Sequence, residues 1–216
     1  MSSEITITEE VPDAKQRLLV AAEEIFADYG YEGASVRQIC QKAGVNIAGV
    51  NYHFGDKENL YVEAVKRAHV CSSKGMAIAE PPPGTPPQVK LTGFIRGMVA
   101  NMHTPASPAS MKLMMREMAD PGRAANTVVN EFIRPIAFRL RDILRELFPH
   151  LPEPRLLMTC FSVMGQCLFY RQNRPIAELI FGKDHLDSLT VDMVADHVVR
   201  FTLAALGHGS FLAEGV

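Results

Sequence analysis

Ser35–Lys57 reads SVRQICQKAGVNIAGVNYHFGDK. Ser35 is a strong helix-capping residue type, and Val36, Ile39 and Ala43 follow it at helical spacing. Gly44-Val45 breaks that helix, and Asn46 is placed to cap a second one that reaches His53. Two turns of helix are not stable alone, so this second helix needs Ile39, Val45 and Val50 beneath it. Its outer side then carries Ile47, Ala48, Gly49, Asn51, Tyr52 and His53. Small residues at 48 and 49 permit close approach to another surface, while Asn51, Tyr52 and His53 supply hydrogen-bonding reach. A helix-turn-helix needs that pairing of a rigid support with a slim, polar second helix that enters the DNA major groove.

Upstream, Leu18, Leu19, Ala22, Ile25, Phe26 and Tyr29 share one helix face, with Asp13 as the expected cap and Gly30 as the stop. Downstream, Asp56 caps a longer helix that carries Leu60, Ala64 and Val65 inward and runs to about Met76. Proline supplies no amide donor and restricts its predecessor, so no helix crosses Pro81-Pro82-Pro83-Gly84-Thr85-Pro86-Pro87. Beyond it, amphipathic stretches cover 88–103, 108–119, 123–148, 153–172 and 187–206, with a kink expected near Ile133 because of Pro135. No alternating run of strand length competes. The fold class expected is all-α. A three-helix helix-turn-helix domain would occupy 13–60, a connecting helix 61–80 and a proline-rich linker 81–87. A helical effector-binding and dimerisation domain would follow over 88–208.

The 216 residues are 47% hydrophobic and 21% charged, values of a globular chain rather than a disordered one. Lys plus Arg is 22 against 24 for Asp plus Glu, a net charge of −2, which excludes nucleic-acid coating by bulk charge. A reader needs only a local basic surface. Residues 1–70 are acidic on balance, but Arg37, Lys42 and Lys57 face only Asp56 within the 35–57 stretch. A small positive footprint is expected, with affinity that depends on dimerisation and base contacts. Cys40, Cys71, Cys160 and Cys167 form no CxxC pair, so buried reduced thiols are expected. The polar N-terminus has no signal-peptide pattern, and Leu156–Tyr170 is too short and polar to span a bilayer. A soluble, cytoplasmic protein without membrane contact is expected.

The chain resembles the TetR family of transcriptional repressors. Arg17-Leu18-Leu19, Ala21-Ala22, Phe26, Gly30-Tyr31, Ala34-Ser35-Val36, Ile39 and Ala43-Gly44-Val45 carry the resemblance. Tyr52-His53-Phe54, Lys57 and Leu60 complete it over roughly residues 14–62. It implies an N-terminal DNA-binding domain, a helical effector domain and a homodimer. The family's recognition helix falls on Asn46–His53, and Lys57 matches its phosphate-contacting lysine. Asn51 stands where the family often has Tyr, and Asn can bond adenine or a phosphate. Ser35 and Arg37 complete the DNA-binding set expected, with Arg37 touching backbone or a base edge. Met115-Arg116-Glu117-Met118, Phe132-Ile133-Arg134-Pro135 and Gly165-Gln166-Cys167-Leu168-Phe169-Tyr170-Arg171 are similar to a narrower subgroup. That subgroup is associated with sensitivity to cephalosporins and chloramphenicol.

Methionines concentrate at 98, 102, 111, 114, 115 and 118, a composition suited to an adaptable apolar pocket, although for each residue alone core packing is the preferred reading. The ligand-contacting set expected is Arg96, Met98, Met102, His103, Met114, Met115, Glu117, Met118, Phe161, Gln166 and Tyr170, around an unknown small-molecule effector. Asp192 and Asp196 share a helix face near His185 and His197, but exposed acids account for them, and neither metal nor cofactor is expected. No catalytic spacing appears. Leu156–Tyr170 bears no charge on any side of its helix, which calls for cover from a second protomer. The helix with Leu189, Met193, Val194, Val198, Phe201 and Leu203 would complete a four-helix dimer bundle. The resulting expectation is a homodimeric repressor on a palindromic double-stranded operator, released by a small molecule. The alternative is an all-helical carrier or enzyme with an incidental helix-turn-helix.

Overall fold

The computed structural model describes residues 13–72, 78–103 and 106–208, and every regular element among them is helical. The chain forms two compact units: residues up to His69 together with Ser107–Thr127, and Val70–Ala106 together with residues from Val128 onward.

In the first unit, α1 (Ala14–Gly33) buries Leu18, Ala22 and Phe26 completely. Gly30 takes φ 69° and ψ −179°, a conformation that L side chains avoid. The chain therefore bends where a stop was expected and makes one more turn. α2 (Val36–Ala43) begins with a reciprocal capping box, in which the Ser35 hydroxyl receives the Gln38 amide at 3.2 Å and the Gln38 carboxamide receives the Ser35 amide at 2.9 Å. It ends at Gly44 in the left-handed region, φ 62°. α3 (Ala48–Phe54) and α4 (Lys57–Ser72) follow. Asp56 Oδ1 accepts the Asn59 amide at 2.7 Å, the cap anticipated for α4. The last residues expected in that helix, 73–76, lie outside the described residues.

α6 (Pro108–Ala119) packs along α1 in this same unit. Four contacts hold it. Ser110 donates to the buried Glu23 carboxylate, which also receives Arg67 of α4, and Lys112 Nζ meets Asp28 at 2.8 Å. The Arg116 guanidinium covers Gly30, and Leu113 is buried completely. The expectation had assigned all of 88–208 to one domain; the ion pairs and serine contacts that draw 107–127 to α1 span too much sequence for local patterning to reveal.

In the second unit, α5 (Pro87–His103) is the axis of the core. Leu91, Phe94, Ile95, Met98 and Val99 meet Leu140, Ile143 and Leu144 of α8 (Arg134–Leu147). Leu156, Cys160, Val163 and Cys167 of α9 (Glu153–Gln172) close one side. Val194, Ala195, Val198 and Val199 of α12 (Val191–Ala205) close the other. Each large aliphatic or aromatic residue so buried contributes about 1.5–3 kcal/mol, which makes this shared core the main source of the unit's stability. A short α7 (Ala125–Val128), whose first three residues belong to the first unit, leads into α8 through one π-helical turn, Val129–Ile133, ending just before Pro135. The missing proline amide makes that wider turn the local solution to the expected kink. Two short helices between α9 and α12 escaped the sequence reading: α10 (Arg174–Phe181) and α11 (Lys183–Asp187). The proline-rich segment lies inside this unit rather than between the two. Ile78 is buried in the core just ahead of it, and Arg139 donates to the Ala79 carbonyl at 2.5 Å.

Among the described residues, no helix is long and apolar enough to cross a membrane. The four cysteines are free; Cys40, Cys160 and Cys167 are buried, and burial pushes the Cys167 thiol up to about 12. A thiol so rarely ionised is unreactive.

Candidate nucleic-acid interface

The support for α3 is the one its spacing demanded. Ile39 of α2 and Val50 of α3 are fully buried, and Phe54 closes the far end of the helix against the core. Asn46 starts the turn: its Oδ1 accepts the Ala48 amide at 2.9 Å and its carbonyl accepts the Gly49 amide at 2.8 Å. α3 therefore begins two residues later and ends one residue later than the span expected, the usual fraying between a cap and the first full turn.

Outward from that support, Tyr52 is 85% exposed and Ile47 is 57% exposed. Ser35, Arg37, Asn46, Ala48 and Asn51 are exposed as well. His53 is half-buried, its ring edge-on to Tyr52 with centroids 4.8 Å apart. A large aromatic ring left in water at the centre of a short helix has no role in holding that helix in place; its chemistry is available to a partner. Gly49 behaves differently from its expected outward placement. A Cβ there would stand 2.7 Å from Val45 Cγ1 and 3.6 Å from Leu18 Cδ1, so its bare Cα faces the support. Gly49 lets α3 sit low on α2, and only its backbone belongs to the outer surface.

Of the three cations in the stretch, Lys42 is engaged by Glu24 of α1, and Arg37 is exposed near the start of α2. Lys57, half-buried at the first turn of α4, rests with Nζ 4.4 Å from the centroid of the Tyr31 ring. Arg123 lies over the same ring at 4.3 Å and pairs with Glu58 at 2.8 Å and Glu32 at 3.5 Å. Sequence reasoning assigned no role to Tyr31 or Arg123. Arg123 stands far along the chain from Lys57, and no local pattern connects them.

The residues expected to contact an effector are divided between the two units. Met98 is core, and Met102 packs against that core. His103 Nδ1 lies 2.8 Å from the Val99 carbonyl, and Arg96 pairs with Asp196 on the surface. Met114, Met115, Glu117 and Met118 are on α6 and so belong to the first unit. Glu117 is buried with every contact internal: Tyr61 donates to it at 2.6 Å, Gly122 at 2.9 Å and Ala124 at 3.1 Å. Phe161 is 73% exposed, and Gln166 bonds back to the Ser162 carbonyl of its own helix. Tyr170 lines an apolar cleft of about 540 Å³ with Phe169, Ala177, Phe181, Leu186 and Leu189, and Glu117 lines a smaller one of about 260 Å³ with Tyr29, Tyr31, Tyr61 and Arg123. A larger cleft of about 800 Å³ lies between the Ile78–Pro83 strap and α8, with Lys90, Ile136, Phe138 and Arg139 on its walls. No cluster of metal-ligating side chains occurs among the described residues; His185 bonds the Phe181 carbonyl and His197 stacks on Phe201.

Apolar surface is left open on the second unit. α9 shows Leu157, Met158, Phe161 and Phe169 on the side opposite its buried Leu156, Cys160, Val163 and Cys167. α12 shows Met193 and Phe201. The uncharged helix expected to be buried on all sides is covered on one side by its own chain.

Residues 87–206 match the family described as HTH-type transcriptional dual regulator CecR, C-terminal domain, and residues 18–64 match bacterial regulatory proteins, tetR family. The HTH-type transcriptional dual regulator CecR of Shigella flexneri is 23% identical over 192 residues, 84% of this chain and 86% of that protein. The HTH-type transcriptional repressor AcnR of Corynebacterium glutamicum is 38% identical over 69 residues; the match takes in 30% of this chain and 37% of that protein. Among solved structures, a TetR-like transcriptional regulator from Rhodococcus sp. RHA1 superposes with a TM-score of 0.57 at 17% identity, over 92% of this chain and 99% of that one. A Clostridium perfringens protein described as a fatty acid metabolism regulator gives 0.61 at 20% identity, over 89% and 97%. The structural likeness is one of fold.

Proposed function

The chain belongs to the TetR-type transcriptional regulators that carry a CecR C-terminal domain, and we propose that it acts as a homodimeric, ligand-responsive repressor of a palindromic operator. The observation that carries this reading is α3: Tyr52 stands in solvent while Val50 and Ile39 beneath it are fully buried. Each protomer inserts its α3 into a major groove, with half-site centres about one helical turn or a little more apart. Ser35, Arg37, Asn46, Ile47, Ala48, Asn51, Tyr52 and His53 form the contacting surface, with the Gly49 backbone beside them and Lys57 on a phosphate. Repression is supported by the name of AcnR, while CecR is named a dual regulator.

The second protomer covers the apolar stripes of α9 and α12, where Phe161 and Phe201 stand exposed. A small molecule is taken up in the second unit, where clefts of about 800, 540 and 500 Å³ are of the size that ligands fill. It releases DNA by binding better to a protomer spacing that cannot match both grooves, since only differential affinity shifts such an equilibrium. The chain passes from one unit to the other at His69–Val70, within α4, whose first residue is Lys57. Such a protein works in the cytoplasm. Its family and relatives are transcriptional regulators rather than enzymes, so the carrier-or-enzyme alternative has no support.

Gel-shift and footprinting with the DNA flanking the protein's own gene test the reading. A protected, salt-sensitive palindrome that a compound screen can release is the expected result. No retardation at low salt, or binding by a single protomer, overturns it.

A further inference from the structure

Lys57 is set apart from an ordinary surface lysine by what surrounds it. Its ammonium rests on the Tyr31 ring at 4.4 Å, and Arg123 rests on the same ring at 4.3 Å. Tyr31 is itself fixed edge-on to Tyr61, centroids 5.2 Å apart, behind the bend at Gly30. Two carboxylates sit at this corner, Glu32 after the ring and Glu58 after the lysine, and Arg123 is paired with both. Without Arg123 the corner would present two negative charges to any phosphate approaching Lys57, or would draw the lysine to itself. The backbone carrying Arg123 is in turn held in place, because Glu117 receives the amides of Gly122 and Ala124 on either side of it.

We propose that Tyr31 and Arg123 are positioning residues for phosphate binding by Lys57: the ring presents the ammonium, and the guanidinium neutralises the carboxylates that would otherwise compete for it. A lysine side chain free to sample its rotamers gives up that freedom when it grips a phosphate. Resting on an aromatic face confines it beforehand, and the cation–ring attraction suits the purpose because it is weak enough to yield to a phosphate. The corner also gives the turn after α6 a direct hold on a DNA contact, since Arg123 and Lys57 share one ring. The inference rests on the reading of Lys57 as the phosphate contact in the proposed function.

The test uses the full-length protein and a duplex recovered by selection from a random pool, with affinity measured across a series of salt concentrations. Lys57→Ala checks the underlying reading and is expected to weaken binding and to flatten the salt dependence by about one contact. Tyr31→Leu and Arg123→Gln are each expected to weaken binding about threefold to tenfold, whereas Tyr31→Phe, which keeps the ring, stays near the parent. In the Lys57→Ala background, both losses should disappear, because the residues act through Lys57. Thermal melting monitors folding, and Arg123→Gln, on an exposed turn, decides the matter if Tyr31→Leu does not fold. Losses that persist undiminished without Lys57 overturn the positioning role alone. A Lys57→Ala protein that binds like the parent overturns the phosphate contact and the positioning role together.

Discussion

Tyr61 of α4 donates its hydroxyl proton to Glu117 of α6 at 2.6 Å, joining residues 56 positions apart in the chain. The other oxygen of that carboxylate receives the Gly122 and Ala124 amides. Burial and the neighbouring carboxylate push the Tyr61 phenol well above its usual range, so it stays protonated and a donor at neutral pH. Through this side chain, together with the contacts of Ser110 and Lys112 to α1, α6 and the turn behind it become part of the helix-turn-helix unit. Replacing Glu117 with Ala leaves a hydroxyl and two amides without their acceptor, and should cost about 3 kcal/mol in urea unfolding. Tyr61→Phe removes one of those bonds and should cost about 1 kcal/mol. A Glu117→Ala protein as stable as its parent, with reduced binding of a small molecule, would restore this residue to an effector site.

Tyr52 and Asn51 offer the opposite pattern. Both lie on the exposed side of α3, so Tyr52→Ala and Asn51→Ala should leave stability within about 0.5 kcal/mol. DNA affinity should nevertheless fall by about tenfold or more, the scale of one lost base contact. Equal losses of stability and of binding would place these side chains in the support rather than on the reading surface.

Protomer association should depend on Phe161. In the isolated chain this ring is 73% exposed, so Phe161→Glu has little to disturb within the protomer. In a dimer sealed by α9 and α12 it buries a charge opposite apolar surface, at a cost of several kcal/mol. Sedimentation should then find monomers with parental helicity and without operator binding. A variant that remains dimeric places the protomer interface on another face.

His69 makes the first unit sensitive to acid. It is 6% exposed near the end of α4, and burial lowers its pKa from 6.5 because the imidazolium is the form that loses hydration. The unfolded chain therefore takes up this proton at a higher pH than the folded one does. Stability linked to His69 is complete above about pH 7 and declines as the pH falls through and below 6.5. Melting temperatures measured between about pH 7.5 and 5 should fall, and His69→Leu should flatten part of that slope. A parallel slope in both proteins would assign the acid sensitivity to other groups.

Local patterning was enough for elements whose stability comes from their own neighbours. The Ser35 cap, the left-handed Gly44 and the Asp56 cap act within a few residues of chain, and the Ile39–Val50 support reaches only across one tight turn between adjacent helices, so spacing identifies them. The disturbance before Pro135 is legible for the same reason, since an amide that does not exist must be accommodated nearby. α10 is punctuated, by Pro175 in its first turn and Gly182 after its last residue, but Leu179 and Phe181 remain in solvent rather than tracing a buried face, so no apolar stripe marks it as a helix. The inward-facing Gly49 was misplaced because composition records that a residue is small but not which surface its Cα meets.

The amino-acid order by itself determined an all-helical chain with a supported two-turn helix after Asn46, because those features rest on helical spacing, caps and one tight turn between adjacent helices. Only the tertiary structure decided that α6 joins α1 and α4, that Glu117 fastens Tyr61 to the turn after α6, and that Arg123 shares the Tyr31 ring with Lys57. Ion pairs and buried hydrogen bonds act over a few ångströms whatever the distance along the chain. Which acid meets which base is therefore settled when the apolar cores bring the helices together.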